Sequence, residues 1–316
     1  MLTGQEPGGP REEREPDPVL ALMAELRAQR YTPDAWAGMV ATSWRMARET
    51  ARGHPRLVLS WQRTATGLAV GTGVALVAEA LFGGAAARSA TVRAVSGAAL
   101  CLGYSVGDTY VHLGMNHDSV GSPLHDTLGA PTILTLARCS VAGLLWGRLA
   151  GGAPASRRSL ALALAMAGLT DIADGQLARR THHATQLGAY LDSMADFSVA
   201  LVVTLTLAAR RALPGWLTAT LLARWLAPMA CALLSYLWLG RRATIDSTAM
   251  GKVAGVAQLA IFSLALLPER AWKRTPSARG WLHALMTPLL AAAPLAQFAR
   301  VVSASRAKEG LCRGQR

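Results

Sequence analysis

Apolar residues along this chain come in long uninterrupted blocks, not in alternation with polar ones. Six blocks follow one another with short polar breaks, over about 132–150, 157–174, 187–208, 214–239, 248–267 and 281–299. Each has roughly the 18 to 25 residues that cross a bilayer core as helix. Another block, 64–83, precedes them and is interrupted by Glu79. A weaker one, 94–108, turns polar at its end and leaves its crossing open. Inside a bilayer no water satisfies the backbone, so helix is the spanning state for such runs. The expected fold is an all-α polytopic membrane bundle, with a six-span core plus one or two extra N-terminal spans.

The polar stretches divide the chain further. Residues 1–18 are rich in Pro, Gly and charge and are expected to be a disordered tail. Residues 19–62 read as an amphipathic interfacial helical segment. Thr32-Pro33 is a helix start, and Trp36, Val40, Trp44 and Ala47 make an apolar stripe beside Arg45, Arg48 and Arg52. That stripe suits a membrane interface or the protein's own core, and the pattern leaves both open. Residues 63–129 hold the extra span or spans and a polar connection, 130–300 the six-span core, and 301–316 a basic tail. The connection carries His112, His117, Asp118, His125 and Asp126. Without helical ligand spacing these read as a solvated loop, not a metal site. Trp146, Trp216, Trp238, Trp272 and Trp281 fall near span ends, as an aromatic belt predicts.

Composition sharpens the class. The chain is 52% hydrophobic and only 16% charged, with mean hydropathy +0.27, which excludes an ordinary soluble domain. Its net charge of +13 sits largely in tails and short loops, which implies anionic membrane lipids and anionic substrates as partners, and no nucleic acid. Cys101, Cys139 and Cys231 lie inside apolar runs, and with Cys312 they form no CxxC pair, so buried thiols are expected. The first apolar span begins after about 60 residues, so no cleavable signal peptide is expected. For orientation, the nine arginines of residues 1–63 are decisive: with an even number of extra spans they place the active face in the cytoplasm.

The chemistry concentrates between the second and third core blocks, in DIADGQLARRTHHATQLGAYLDSMAD, residues 171–196. Asp171 and Asp174 end one apolar helix at i, i+3; Gly188, Asp192 and Asp196 recur every four residues at the start of the next and so share a face. Two neighbouring helices would aim four carboxylates at one point. Carboxylates at membrane depth are costly unless satisfied, and a hard divalent cation with oxygen ligands, Mg²⁺ or Mn²⁺, satisfies them. Gly175, Ala178 and Gly188 remove bulk where a nucleotide would approach helix backbone. Arg179 offers a planar charged fork to phosphate oxygens. A salt-bridged polar patch is the bland alternative, but Arg179 can pair with one or two of the aspartates, not four. A divalent-cation transporter is the other. It would need ligands at mid-bilayer and a polar path, whereas residues 160–169 and 199–207 are almost wholly apolar.

The pattern Asp-x2-Asp-Gly-x2-Ala-Arg-x8-Gly-x3-Asp-x3-Asp, fully present from Asp171 to Asp196, resembles the signature of the CDP-alcohol phosphatidyltransferases, integral membrane enzymes of phospholipid synthesis. The resemblance covers about residues 130–300. It implies a metal-dependent transfer of a phosphatidyl group from CDP-diacylglycerol, or a related CDP-linked lipid, to a polar alcohol with release of CMP. It also implies that Asp171, Asp174 and Asp192 ligate metal, that Asp196 is ligand, base or both, and that the protein is a homodimer. The run from Pro131 to Arg138 resembles the family's Pro-Asn-x2-Thr-x2-Arg start of the first core span, with Thr132 in place of Asn and Thr135 matching the nucleotide-side Thr. Gly251-Lys252-x5-Gln258 and Arg224 resemble elements of the glycerol-3-phosphate enzymes, where Arg224 and Lys252 would meet acceptor phosphate. Ser193 and Phe197 depart from that subtype, and Ser193 is more typical of members acting on serine or inositol. Glycerol 3-phosphate is the expected acceptor, with inositol phosphate, serine or another alcohol as alternatives. A catalytically reduced member serving as an assembly partner is a further alternative, against which the intact aspartate set stands.

Overall fold

A computed structural model of the chain describes residues 18–82, 84–119, 121–181, 183–235, 237 and 249–267, with 280, 284, 287, 288, 290 and 291. Among these residues the secondary structure is helical, with no strand: α1 (Pro18–Ala28), α2 (Pro33–Gly53), α3 (Pro55–Phe82), α4 (Gly84–Val111), a single 3₁₀ turn at Leu113–Met115, α5 (Ala130–Ala150), α6 (Arg157–Thr181), α7 (Gln186–Ala209), α8 (Gly215–Leu234) and α9 (Ala249–Leu266). The expected sixth core span at 281–299, both tails, and Trp238, Trp272, Trp281, His182 and Cys312 lie outside the described residues, apart from the few positions named between 280 and 291; so does the side chain of Glu79.

The helix starts follow from local chemistry. Thr32 Oγ1 accepts from the backbone N–H of Ala35 at 3.3 Å, with Pro33 in the first turn of α2. Pro131 sits in the first turn of α5. Thr185 Oγ1 accepts from Gly188 N at 3.0 Å and so opens α7. Helices α5, α6, α7 and α8 are long and apolar enough to cross a membrane, while the apolar run of α9, Gly251–Leu266, is shorter. Helices α3 and α4 have 28 residues each, about 42 Å at 1.5 Å per residue and therefore long enough by length.

Small residues seat α4 on α5. A Cβ on Gly97 would stand 2.5 Å from Gly147 Cα, one on Gly147 would run into Ala94 O, and one on Gly143 would stand 3.0 Å from Cys101 Cβ. Gly143 and Gly147 are four apart on one face, the arrangement that lets helix backbones approach in lipid. The weak apolar block at 94–108 is thus part of a longer helix packed on the core.

Two apolar clusters bracket the polar centre. One joins Leu57, Leu113, Leu128, Leu136, Leu187 and Leu191, with Trp61 and Tyr110 against it. The other joins Ala142 and Leu145 of α5 to Leu160, Val202, Val203, Leu207, Leu217, Leu221, Ile261 and Phe262. On α5 the gap between Leu136 and Ala142 falls at Arg138. One sequence expectation is corrected: Asp171 and Asp174 do not end their helix, because α6 continues to Thr181. The α2 stripe divides: Trp36, Val40 and Trp44 are 38%, 50% and 42% exposed, whereas Ala47 is buried and the Trp44 ring lies 5.8 Å from that of Tyr110.

Candidate active site

Three helices present polar residues at helical spacing to one another. Helix α6 offers Asp171, Asp174, Gly175 and Ala178, at i, i+3, i+4 and i+7; α7 offers Gly188, Asp192 and Asp196, every four residues; α5 offers Thr132, Thr135 and Arg138, every three. The four aspartates expected from the sequence to converge do so, around the guanidinium of Arg138. Its Nη1 donates to Asp171 Oδ1 at 3.3 Å and to Asp196 Oδ1 at 2.6 Å; its Nη2 donates to Asp192 Oδ1 at 2.9 Å and to Asp174 Oδ2. The Arg138 side chain is 1% exposed, whereas those of Asp171, Asp192 and Asp196 are 51%, 41% and 45% exposed. Asp174 is nearly enclosed and also accepts from Thr135 Oγ1 at 3.1 Å.

Arg138 is the functional residue that sequence reasoning underused. The pairing weighed for Arg179 is corrected: the partner of all four acids is Arg138, visible in the sequence only as the last residue of the Pro131–Arg138 run. Arg179 lies exposed, its Nη1 3.5 Å from where a Cβ on Gly175 would stand. One guanidinium against four carboxylates leaves a surplus of negative charge in a half-buried setting, which further cation density would relieve. Ligand oxygens of Asp171, Asp192 and Asp196 all lie within 4.8 Å of one another. Arg138 engages one oxygen of each, so the donor set, hard carboxylate oxygens with spare lone pairs, fits Mg²⁺ or Mn²⁺. Asp174 is not among those three, its Oδ2 being held by Thr135 and Arg138.

Beside the acids opens a cavity of about 180 Å³. Pro131, Thr132 and Thr135 of α5 form one wall, Asp174, Gly175 and Ala178 of α6 another, and Gly188, Ala189 and Asp192 of α7 a third, with His183, Ala184 and Thr185 closing it. Every small residue singled out from the sequence lines it. At Gly188 a Cβ would stand 3.2 Å from Thr185 Oγ1 and 3.4 Å from Thr132 Oγ1, so a larger residue would crowd the lining. Residues in the first turns of both α5 and α7 contribute to its lining.

Arg224 and Lys252 are not among the cavity-lining residues. Arg224 donates to Gln258 Oε1 and, at 3.4 Å, to Gly251 O; Gln258 Oε1 also accepts from Trp225 Nε1 at 3.1 Å. Phe197, next to Asp196, meets Trp225 edge to face with centroids 6.1 Å apart, which ties this group to the aspartate helix. Lys252 is exposed. The histidine-bearing connection is more than a solvated loop: Asn116 and Leu113 are fully buried in it, and His125 pairs with Asp118 at 2.8 Å.

Comparison with known proteins points to one family. The family model of the CDP-alcohol phosphatidyltransferases matches residues 128–292. The chain is 36% identical over 164 residues to the CDP-diacylglycerol–glycerol-3-phosphate 3-phosphatidyltransferase of Pectobacterium atrosepticum, covering 50% of this chain and 87% of that protein. It is 42% identical over 100 residues to the cardiolipin synthase (CMP-forming) of Streptomyces coelicolor, covering 31% of this chain and 46% of that one. It is also 33% identical over 116 residues to the CDP-diacylglycerol–glycerol-3-phosphate 3-phosphatidyltransferase of Escherichia coli, covering 35% and 62%. The chain thus spans under half of the Streptomyces relative and under two thirds of the Escherichia one. No solved structure matches it. With the signature acids of two apolar helices gathered around Arg138 of a third and the family model spanning half the chain, this membrane protein belongs to the CDP-alcohol phosphatidyltransferase family of transferases.

Proposed function

We propose that the protein transfers a phosphatidyl group from CDP-diacylglycerol, or a related CDP-linked lipid, to an alcohol and releases CMP. The observation that carries this is the meeting of four carboxylates from α6 and α7 beside a cavity with a glycine and alanine lining. Asp171, Asp192 and Asp196, with Asp174 behind them, would hold Mg²⁺ or Mn²⁺, which supplies charge neutralisation at the diphosphate as CMP leaves. Gly175, Ala178 and Gly188 admit the nucleotide against helix backbone. Arg138 keeps the acids together and limits their mutual repulsion. The acceptor hydroxyl oxygen bonds to the lipid-side phosphorus, the bond from that phosphorus to the CMP oxygen breaks, and Asp196 takes the hydroxyl proton. The reaction is assigned to the cytoplasmic face on the weight of the arginines in residues 1–63.

Glycerol 3-phosphate is the acceptor we favour. Arg224, held by Gln258, and Lys252 would bind its phosphate, and several relatives carry this acceptor in their names. Purified protein incubated with CDP-diacylglycerol, Mn²⁺ or Mg²⁺ and single acceptors tests both levels. The panel holds glycerol 3-phosphate, inositol phosphate and serine, plus a lipid alcohol because one relative is named as a cardiolipin synthase. CMP release with glycerol 3-phosphate is expected; release only with another member reassigns the acceptor, and no release across the panel overturns the transferase reading.

A further inference from the structure

The acid centre accounts for only one end of the cavity. Along α5 the cavity is lined by Pro131, Thr132 and Thr135, with Gly129 just before the helix and Arg138 nearly a turn beyond Thr135. Thr135 bonds Asp174 and Arg138 bonds all four acids, so the charged chemistry sits at the inner steps. Nine residues at 1.5 Å each put Gly129 about 13 Å up the helix from Arg138. At that outer step the ring of His183 lies flat enough on the chain that a Cβ on Gly129 would overlap Cδ2 and stand 2.7 Å from Nε2. His183 lines the cavity, and its Nε2 is buried with no hydrogen-bond partner. Thr132 Oγ1, one step inward and on the same cavity, is buried and equally without a partner. Buried polar atoms without partners are rare, and two on residues that line one cavity point to a polar, uncharged ligand group between them.

The connection that precedes the matched region positions this histidine. Asn116, fully buried, donates through Nδ2 to His125 O at 3.2 Å and to Thr127 O at 3.1 Å, and its backbone carbonyl accepts from His125 N at 2.9 Å. Gln186 N, the first of α7, donates to His117 O at 2.9 Å. The loop is therefore fastened to the same helix start that opens on the cavity. His125 shares a hydrogen with Asp118 Oδ1 at 2.8 Å and lays its ring against His183, centroids 4.3 Å apart.

We propose that His183 hydrogen-bonds the uncharged nucleoside part of the donor, with Asp118 and His125 as positioning residues that hold its ring over Gly129. This rests on the reading of the protein as an enzyme that uses a CDP-linked lipid, and it deepens that reading by giving the nucleotide a direction: diphosphate at Arg138 and the acids, ribose and base toward His183. Burial, and next to it the His125 ring, holds His183 below the ordinary histidine range, so near pH 7 it meets the ligand as neutral imidazole, suited to a hydroxyl, amide or ring nitrogen. Neither Asp118 nor His125 belongs to the region matched by the family model.

The test uses the full chain in detergent with CMP and inorganic pyrophosphate as separate probes. His183→Ala is expected to weaken CMP binding about tenfold and to raise the KM for CDP-diacylglycerol by a similar factor, with kcat within about twofold of wild type. His183→Gln, which returns a side-chain hydrogen-bonding group, restores most of that loss, and His125→Ala shows a smaller loss of the same kind. Inhibition by pyrophosphate, which engages only the charged end, stays unchanged in all three. Wild-type CMP affinity in His183→Ala overturns the inference, as does an equal loss of CMP and pyrophosphate binding, which would report collapse of the whole cavity. A wild-type protein that neither binds CMP nor releases it from a CDP-linked lipid fails earlier, at the function itself, and is told apart by that control.

Discussion

At the scale of single residues, Arg138 decides how four acids coexist on apolar helices. It offers two nitrogens, each shared between two aspartates. Replacing it by Met keeps volume and removes the charge. Arg138→Met is expected to cost on the order of 3 kcal/mol in metal-free buffer, because it leaves the acids uncompensated. Mn²⁺ should then raise the Tm of the variant more than that of wild type. Equal metal-induced shifts would show that Arg138 and the cation do not share these carboxylates. Asp192→Asn and Asp196→Asn are each expected to lower CMP release by about 100-fold or more while the protein remains folded. Chelation with EDTA should do the same to wild type, reversibly. Near-normal turnover in either variant contradicts the assigned roles.

At the scale of elements, α4 matters because it supplies a wall to α5 and ends beside α7. Its contact with α5 rests on Gly97 and Gly147. Gly147→Val forces the helices apart and is expected to destabilise by about 1–3 kcal/mol, read as a lower Tm and faster proteolysis within residues 84–111. Beyond its last turn, His112 Nδ1 lies 2.9 Å from Asp108 O and 3.2 Å from Asp108 Oδ1, and its ring is 4.5 Å from that of Tyr190 on α7. The hydrogen bond to the Asp108 side chain raises the His112 pKa, outweighing burial, which lowers it. A raised folded value means the stabilisation is complete below the ordinary histidine value near 6.5 and fades as pH rises through the folded one. His112→Asn should therefore be less stable than wild type at pH 6, with the gap narrowing by pH 9. A gap that stays constant with pH would remove the charge from this account.

At the scale of the molecule, the basic surplus has a place. Helix α2 exposes Trp36, Val40 and Trp44, and Arg45, Arg48 and Arg52 are exposed on the same helix. We propose that α2 lies in a membrane interface, where its arginines would meet anionic headgroups. Replacing the three arginines by Gln is expected to reduce activity in vesicles rich in anionic lipid, while activity in neutral detergent micelles stays at wild-type level. Loss in both settings would mean that α2 acts through the core. The buried Asn116 loop then joins this N-terminal part to the catalytic helices, so residues before the matched region reach the cavity wall.

Much of this protein is legible in one dimension. Membrane helices are set by apolar run length, because a bilayer leaves the backbone no alternative, and the acids at spacings of three and four were bound to share faces. Small residues at Gly175, Ala178 and Gly188, singled out by their spacing, all line the cavity. Other features depend on which helix stands next to which. That Arg138 and not Arg179 meets the aspartates depends on α5 lying between α6 and α7, a choice made by packing among apolar faces that look alike in sequence. Past Asp174, α6 continues to Thr181, with Arg179 and Arg180 in its last turn to complement the helix dipole. The ring contact of His125 with His183 joins residues 58 positions apart, and no local periodicity encodes such a pair. Spacing determines what a helix can present; only the assembled bundle determines to whom.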